Sequence, residues 1–146
     1  MNCYSDQVDD TRRRATAAGV RPIQTRILIA DDEEDCRELV SFALDAPGTE
    51  ISTAASGGEL LELVAEGGSF DLIVTDINMP WMEGLQVLAS MREAGLTTPV
   101  LVITGVMRPD LEASVARMGN AKLLRKPFAI AALRETIADL LVGEGE

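Results

Sequence analysis

Five residues able to handle a metal ion or a phosphoryl group stand where short apolar runs end. Asp31 and Asp32 follow Ile27–Ala30, Asp76 follows Leu72–Thr75, Thr104 closes Val100–Thr104, and Lys126 comes shortly after Leu123–Leu124. Singly, each has an ordinary explanation. Asp31 and Asp32, continued by Glu33, Glu34 and Asp35, can cap a helix N-terminus and favour its dipole. Thr104 can be a plain strand residue and Lys126 a plain surface lysine. Asp76 is harder to explain in this way, because a carboxylate beside two others is costly unless a cation neutralises the group. A hard divalent cation does so, and Mg2+ is characteristically held by one or two carboxylates together with phosphate oxygens and waters. One carboxylate can then attack a phosphoryl group as a nucleophile. An ammonium and a hydroxyl can bind the remaining phosphoryl oxygens.

For these residues to meet, the apolar runs must be strands of one parallel sheet, with the site at the strands' carboxyl ends. Runs at Ile27–Ala30, Ile51–Ala54, Leu72–Thr75, Val100–Thr104 and Leu123–Leu124 predict five strands. The third and fourth are apolar almost throughout, as strands covered on both faces should be. Helical periods lie between them. Cys36, Leu39, Val40, Ala43 and Leu44 make one buried stripe. Leu60, Leu61 and Val64 mark a second helix, Val87, Leu88 and Met91 a third, and Ile130, Leu133, Ile137, Leu140 and Leu141 the last. Pro109–Met118 reads as a helix with Pro109 near its first turn and a thin stripe of Leu111, Val115 and Met118, the least firmly docked of the set. Gly67–Gly68, Gly95 and Gly119 are expected to end helices. The sum is five βα units, a doubly wound α/β domain with right-handed crossovers. It is expected to span residues 26–146 after a flexible tail at residues 1–25, with no internal repeat and no output domain.

Composition narrows the chemistry. The 146 residues contain no histidine, which excludes Ser-His hydrolases, His-based zinc sites and histidine general bases. Two cysteines, Cys3 and Cys36, are too few for a disulfide scaffold, and Cys36 is expected as a buried free thiol. Of a net charge of −11, residues 1–25 carry four arginines against three aspartates, or +1, leaving nine basic and twenty-one acidic groups, or −12, for residues 26–146. So acidic a body repels the phosphate backbone and suits a cation or a protein partner, not direct nucleic-acid binding. The Arg12–Arg14 run, flanked by acids, reads as solvated. No apolar run approaches the roughly 18 residues of a membrane span, and the N-terminus lacks a secretory signal. A cytoplasmic protein with no membrane contact is expected.

Four strings, in order and at suitable spacing, resemble the receiver domain of response regulators in two-component signalling: Ile27–Leu28–Ile29–Ala30–Asp31–Asp32, Asp76–Ile77–Asn78–Met79–Pro80–Trp81–Met82–Glu83–Gly84, Val102–Ile103–Thr104–Gly105 and Lys126–Pro127–Phe128. The resemblance covers about residues 26–141. It implies a flavodoxin-like fold, a five-stranded parallel sheet of order 2-1-3-4-5 with helices on both faces, the order for which the chemotaxis receiver is a standard example. It implies Asp76 as phosphoacceptor and Mg2+ as cofactor. Asp32 and Asp76 would be direct ligands, Asp31 would act partly through water, and Asn78 would add a backbone carbonyl. Lys126 would pair with the acceptor carboxylate and then with the phosphoryl group, toward which Thr104 would donate its hydroxyl. Pro127 matches a cis peptide position.

By this resemblance the chain is a signalling module, not an enzyme turning over an external substrate. Its partners would be a sensor histidine kinase or histidine phosphotransfer protein and a downstream protein target, met as a monomer or weak dimer. The output surface would be the fourth helix, fifth strand and fifth helix, with Arg108, Arg117, Lys122 and Arg125. Two positions depart from the pattern. Leu123 stands where receivers usually carry Tyr or Phe, which removes the aromatic form of the switch and leaves a modest rearrangement. Val106, two residues past Thr104, cannot orient an attacking water, so the phosphorylated state should outlast that of relatives with an acid or amide there. Comparing dephosphorylation of wild type with Val106→Glu checks this: the variant should lose the phosphoryl group faster, and an unchanged or slower rate contradicts it.

Other classes fit less well. An aspartate-nucleophile phosphohydrolase needs a second aspartate two residues after the nucleophile, where this chain has Asn78. A flavin-binding module needs a hydroxyl- and glycine-rich phosphate loop after the first strand, where Asp31–Asp32–Glu33–Glu34 would repel the phosphate. A phosphorylation-independent interaction domain would leave the acidic pocket without a purpose.

Overall fold

The computed structural model describes residues 25–66, 69–77, 84–105 and 109–144. The apolar runs form parallel strands: β1 Thr25–Ala30, β2 Thr49–Ala54, β3 Leu72–Asp76, β4 Val100–Thr104 and β5 Ala121–Arg125. Helices α1 Glu34–Leu44, α2 Gly57–Glu66, α3 Gly84–Glu93, α4 Leu111–Met118 and α5 Ile130–Glu144 alternate with them. The sheet order is β2-β1-β3-β4-β5, as the resemblance implied.

Alternation along the strands divides the core into two layers, because successive side chains leave opposite faces of a sheet. Leu28, Ile73, Val100 and Val102 meet Leu60 of α2, Val87, Leu88 and Met91 of α3, and Leu111 and Val115 of α4. Ile27, Ile29, Leu72, Val74, Leu101 and Ile103 meet Val40 and Ala43 of α1 and Leu133, Ile137 and Leu140 of α5. Every residue of β3 and β4 is buried, which explains why those two strands read as continuous apolar runs. The order places β1 beside β3 while β2 lies outside β1, so the chain reverses direction across the sheet there. That reversal opens a crevice at the carboxyl ends of β1 and β3.

Several local expectations are corrected. Thr25 pairs with Thr49, so β1 starts inside the stretch read as tail, whose residues 1–24 lie outside the described residues. β5 extends beyond Leu123–Leu124 to both sides, its polar Lys122 and Arg125 being exposed at the sheet edge. On α1 the buried pair is Val40 and Ala43, whereas Leu39 is 43% exposed and Cys36 and Leu44 are half-buried; Leu141 of α5 is likewise 37% exposed. Both leucines sit on the flank of their stripe. Pro109 precedes the N-cap, Asp110, so α4 begins two residues later than Pro109 suggests. Its thin stripe is nevertheless deeply seated, with Leu111 and Val115 buried. Gly95 ends α3 at φ +88. The Gly95 amide donates to Arg92 and the Leu96 amide to Met91, which satisfies the last carbonyls of the helix. Gly67 and Gly68 lie outside the described residues.

Candidate functional site

At the end of β1 the Asp31 amide still donates to the Ala54 carbonyl at 3.0 Å, which prolongs the sheet by one residue and holds Asp31 fully buried. Its Oδ1 then accepts the Glu33 amide at 2.9 Å, turning the chain from strand into α1, while Arg37 Nη1 donates to the Asp31 carbonyl at 2.7 Å. Asp76, the last residue of β3, is buried. Asp32 is exposed at the mouth of the crevice. One carboxylate oxygen from each of Asp31, Asp32 and Asp76 lies within 4.8 Å of the others.

Lys126 reaches this cluster from beyond β5. Its amide donates to the Thr104 carbonyl at 2.8 Å, which ties it to the end of β4, and the Lys126–Pro127 peptide is cis. From there Nζ donates to Asp76 Oδ2 at 2.7 Å, Asp31 Oδ2 at 3.1 Å and Glu33 Oε1 at 3.0 Å. Burial alone would lower the lysine pKa, but the hydrogen bonds to Asp76, Glu33 and Asp31 outweigh it and hold the ammonium above its usual range. Thr104 is fully buried at the end of β4, beside β3 in the register that pairs Asp76 with Ile103.

The structure therefore brings Asp31, Asp32, Asp76 and Lys126 together and sets Thr104 at the adjoining strand end. Asn78, Val106 and Arg108 lie outside the described residues. In the sequence Glu33 reads only as a helix-capping acid. It does occupy the N-cap of α1, yet its side chain makes no capping hydrogen bond and goes to Lys126 instead. The available signal is a fourth acid adjoining a pocket that holds a lysine. Glu34 and Asp35 sit in the first turn of α1, where they favour the helix dipole. Capping thus accounts for part of the acidic run and leaves the aspartate pair to the pocket.

Four carboxylates facing one ammonium leave a net negative pocket built of hard oxygen donors. Two of its acids, Asp31 and Asp76, are buried and two, Asp32 and Glu33, are open to solvent, a donor set suited to a small divalent cation. Asp31, Asp32 and Asp76 are the side chains that would hold it.

Cys36, half-buried on α1, adjoins this pocket. Burial first, and then its hydrogen bond to Asp31, push the thiol from 9.0 up to about 12. Its thiolate forms only near that pH, so alkylation at about pH 8 in EDTA should run about a thousandfold slower than for an unhindered thiol. Peptide mapping after timed alkylation measures this; a rate equal to that of the unfolded chain contradicts it.

Residues 27–138 match the family of the response regulator receiver domain. Among curated proteins, the transcriptional regulatory protein PrrA of Mycobacterium tuberculosis is 32% identical over 120 residues, covering 82% of this chain and 51% of PrrA. The sensory/regulatory protein RpfC of Xanthomonas campestris is 31% identical over 121 residues, covering 80% of this chain and 16% of RpfC. The chain thus spans about half the length of one relative and much less of the other. Among solved structures, the chemotaxis response regulator CheY4 of Vibrio cholerae superposes with a TM-score of 0.71 at 30% identity, covering 81% of this chain and 99% of that one. The receiver domain of the Francisella response regulator 1452 gives 0.73 at 25% identity, covering 83% and 99%.

Proposed function

The chain belongs to the response regulator receiver domain family, and on that footing we propose that Asp76 is its phosphoacceptor, with Asp31 and Asp32 completing a Mg2+ site. Receiver domains take a phosphoryl group on an aspartate and signal by the change that follows, so the module is a component of two-component signalling. The observation that carries the assignment to Asp76 is its place at the end of β3. There it is buried, 2.7 Å from the Lys126 ammonium and within 4.8 Å of two further carboxylates.

An Asp76 oxygen attacks phosphorus, a new O–P bond forms, and the bond from phosphorus to the donor's leaving group breaks, yielding an acyl phosphate. Mg2+, when bound, would neutralise the acids and the developing phosphoryl charge. By the family resemblance, Asn78 would add its backbone carbonyl to the ligand set. Lys126, aimed at the free carboxylate, would donate to a phosphoryl oxygen. Thr104, at the neighbouring strand end, donates its hydroxyl to another. Positioning and charge neutralisation account for nearly all of the catalysis in such a transfer, so the module promotes its own phosphorylation without turning over an external substrate.

The phosphoryl group would come from a sensor histidine kinase or a histidine phosphotransfer protein in the cytoplasm. Among the described residues no helix is long and apolar enough to cross a membrane. A shift of Thr104 toward the phosphoryl group would be read out on the face of α4, β5 and α5, where Arg117, Lys122 and Arg125 are exposed. Leu123, half-buried against the layer that holds α4, would repack in place of an aromatic rotation. Incubation with acetyl phosphate, followed by intact mass, tests the chemistry. One phosphoryl group should be gained with Mg2+ and none in EDTA; equal uptake in both, or none in either, contradicts it.

A further inference from the structure

Resting on the reading of Asp76 as phosphoacceptor, we infer that Glu33 is a positioning residue: its carboxylate occupies Lys126 and must release it before a phosphoryl group is bound, so it sets the pocket's affinity for anionic phosphoryl ligands. An ammonium has three N–H donors. Here all three are taken, by Asp76 Oδ2 at 2.7 Å, Glu33 Oε1 at 3.0 Å and Asp31 Oδ2 at 3.1 Å. A phosphoryl group on Asp76 brings further oxygens that need one of them.

The three acceptors are not equally able to give way. The Asp31 and Asp76 side chains are 0% and 7% exposed, so neither can exchange the lysine for water. The Glu33 side chain is 67% exposed and returns to water at little cost, as half-exposed ion pairs do. Its backbone is meanwhile fixed, with its amide on Asp31 Oδ1 and its residue at the N-cap of α1. The side chain alone is free to move. Glu33 therefore acts as a built-in anionic competitor, holding Lys126 aimed at Asp76 in the resting state and raising the concentration of phosphoryl ligand needed to displace it.

Beryllofluoride, an anionic mimic of the phosphoryl group, tests this by fluorine NMR titration in Mg2+. Four proteins are compared: wild type, Glu33→Gln, Lys126→Ala and the double variant. Glu33→Gln should bind roughly two- to fivefold more tightly than wild type, the range of one half-exposed ion pair, a gain that a loosened fold would not give. In the Lys126→Ala background the same change should leave affinity unaltered. Equal or weaker binding by Glu33→Gln overturns the inference, as does the same gain in both backgrounds, which would mean that the charge acts on the ligand directly. Failure of wild type to bind at all would instead overturn the phosphoacceptor reading and this inference with it.

Discussion

Asp76→Asn is expected to abolish phosphoryl acceptance while leaving the fold intact. The amide has the carboxylate's shape and can keep a neutral hydrogen bond to Lys126, so the end of β3 should hold its place between β1 and β4. The amide cannot serve as the nucleophile, and it gives up one of three acids that would hold the cation. Both losses fall on the same step, so uptake from acetyl phosphate should drop by at least about a thousandfold. Intact mass measures the uptake, and an amide NMR spectrum matching wild type outside the pocket verifies the fold. Wild-type uptake by the variant would place the nucleophile elsewhere.

Lys126→Ala should have the second-largest effect, chiefly on stability. Removing the ammonium leaves the buried carboxylates of Asp31 and Asp76 facing each other without their cation. Breaking a buried pair in this way costs about 3–5 kcal/mol, whereas the exposed contact to Glu33 adds little. Denaturant unfolding in EDTA should show that loss. Mg2+ should restore more stability to the variant than it adds to wild type, because a divalent ion takes over the neutralising role. The pH dependence has a definite sign. The lysine pKa is raised in the folded state, so its contribution is complete below the ordinary lysine value of about 10.4 and is lost only as pH rises through the higher folded value. The stability lost with Lys126 should therefore stay level between about pH 7 and 9. A stability within about 1 kcal/mol of wild type in EDTA would show that the pocket's acids are neutralised by something other than Lys126.

Much of this architecture is legible in the sequence because the central strands carry so plain a signal. β3 and β4 are buried along their whole length, and residues just past such runs must gather at one sheet edge. That alone places Asp31, Asp32, Asp76, Thr104 and Lys126 together. Edges and flanks are less legible. β5 has no fully buried position, only half-buried and exposed ones, so its apolar residues mark only Leu123–Leu124. Leu39 obeys the helical period of α1, yet it is substantially exposed because it lies to one side of the contact made by Val40 and Ala43. Glu33 is hidden because its type and place suit an N-cap, while its actual partner is 93 residues away. Arg92 gives no signal either. Its guanidinium donates to the carbonyls of Leu96, Thr98, Gly119 and Asn120, joining the end of α3 to the turn after α4. Backbone acceptors carry no mark in the sequence.

The most direct test of the phosphotransfer at Asp76 is to trap its product. After incubation with acetyl phosphate and Mg2+, borohydride reduces an acyl phosphate to an alcohol, which marks the modified aspartate for peptide mass mapping. The reduced side chain should appear at position 76 and at no other carboxylate, and only when Mg2+ was present. Reduction at Asp31, Asp32 or Glu33, or an unmodified Asp76 after phosphoryl uptake, would contradict it.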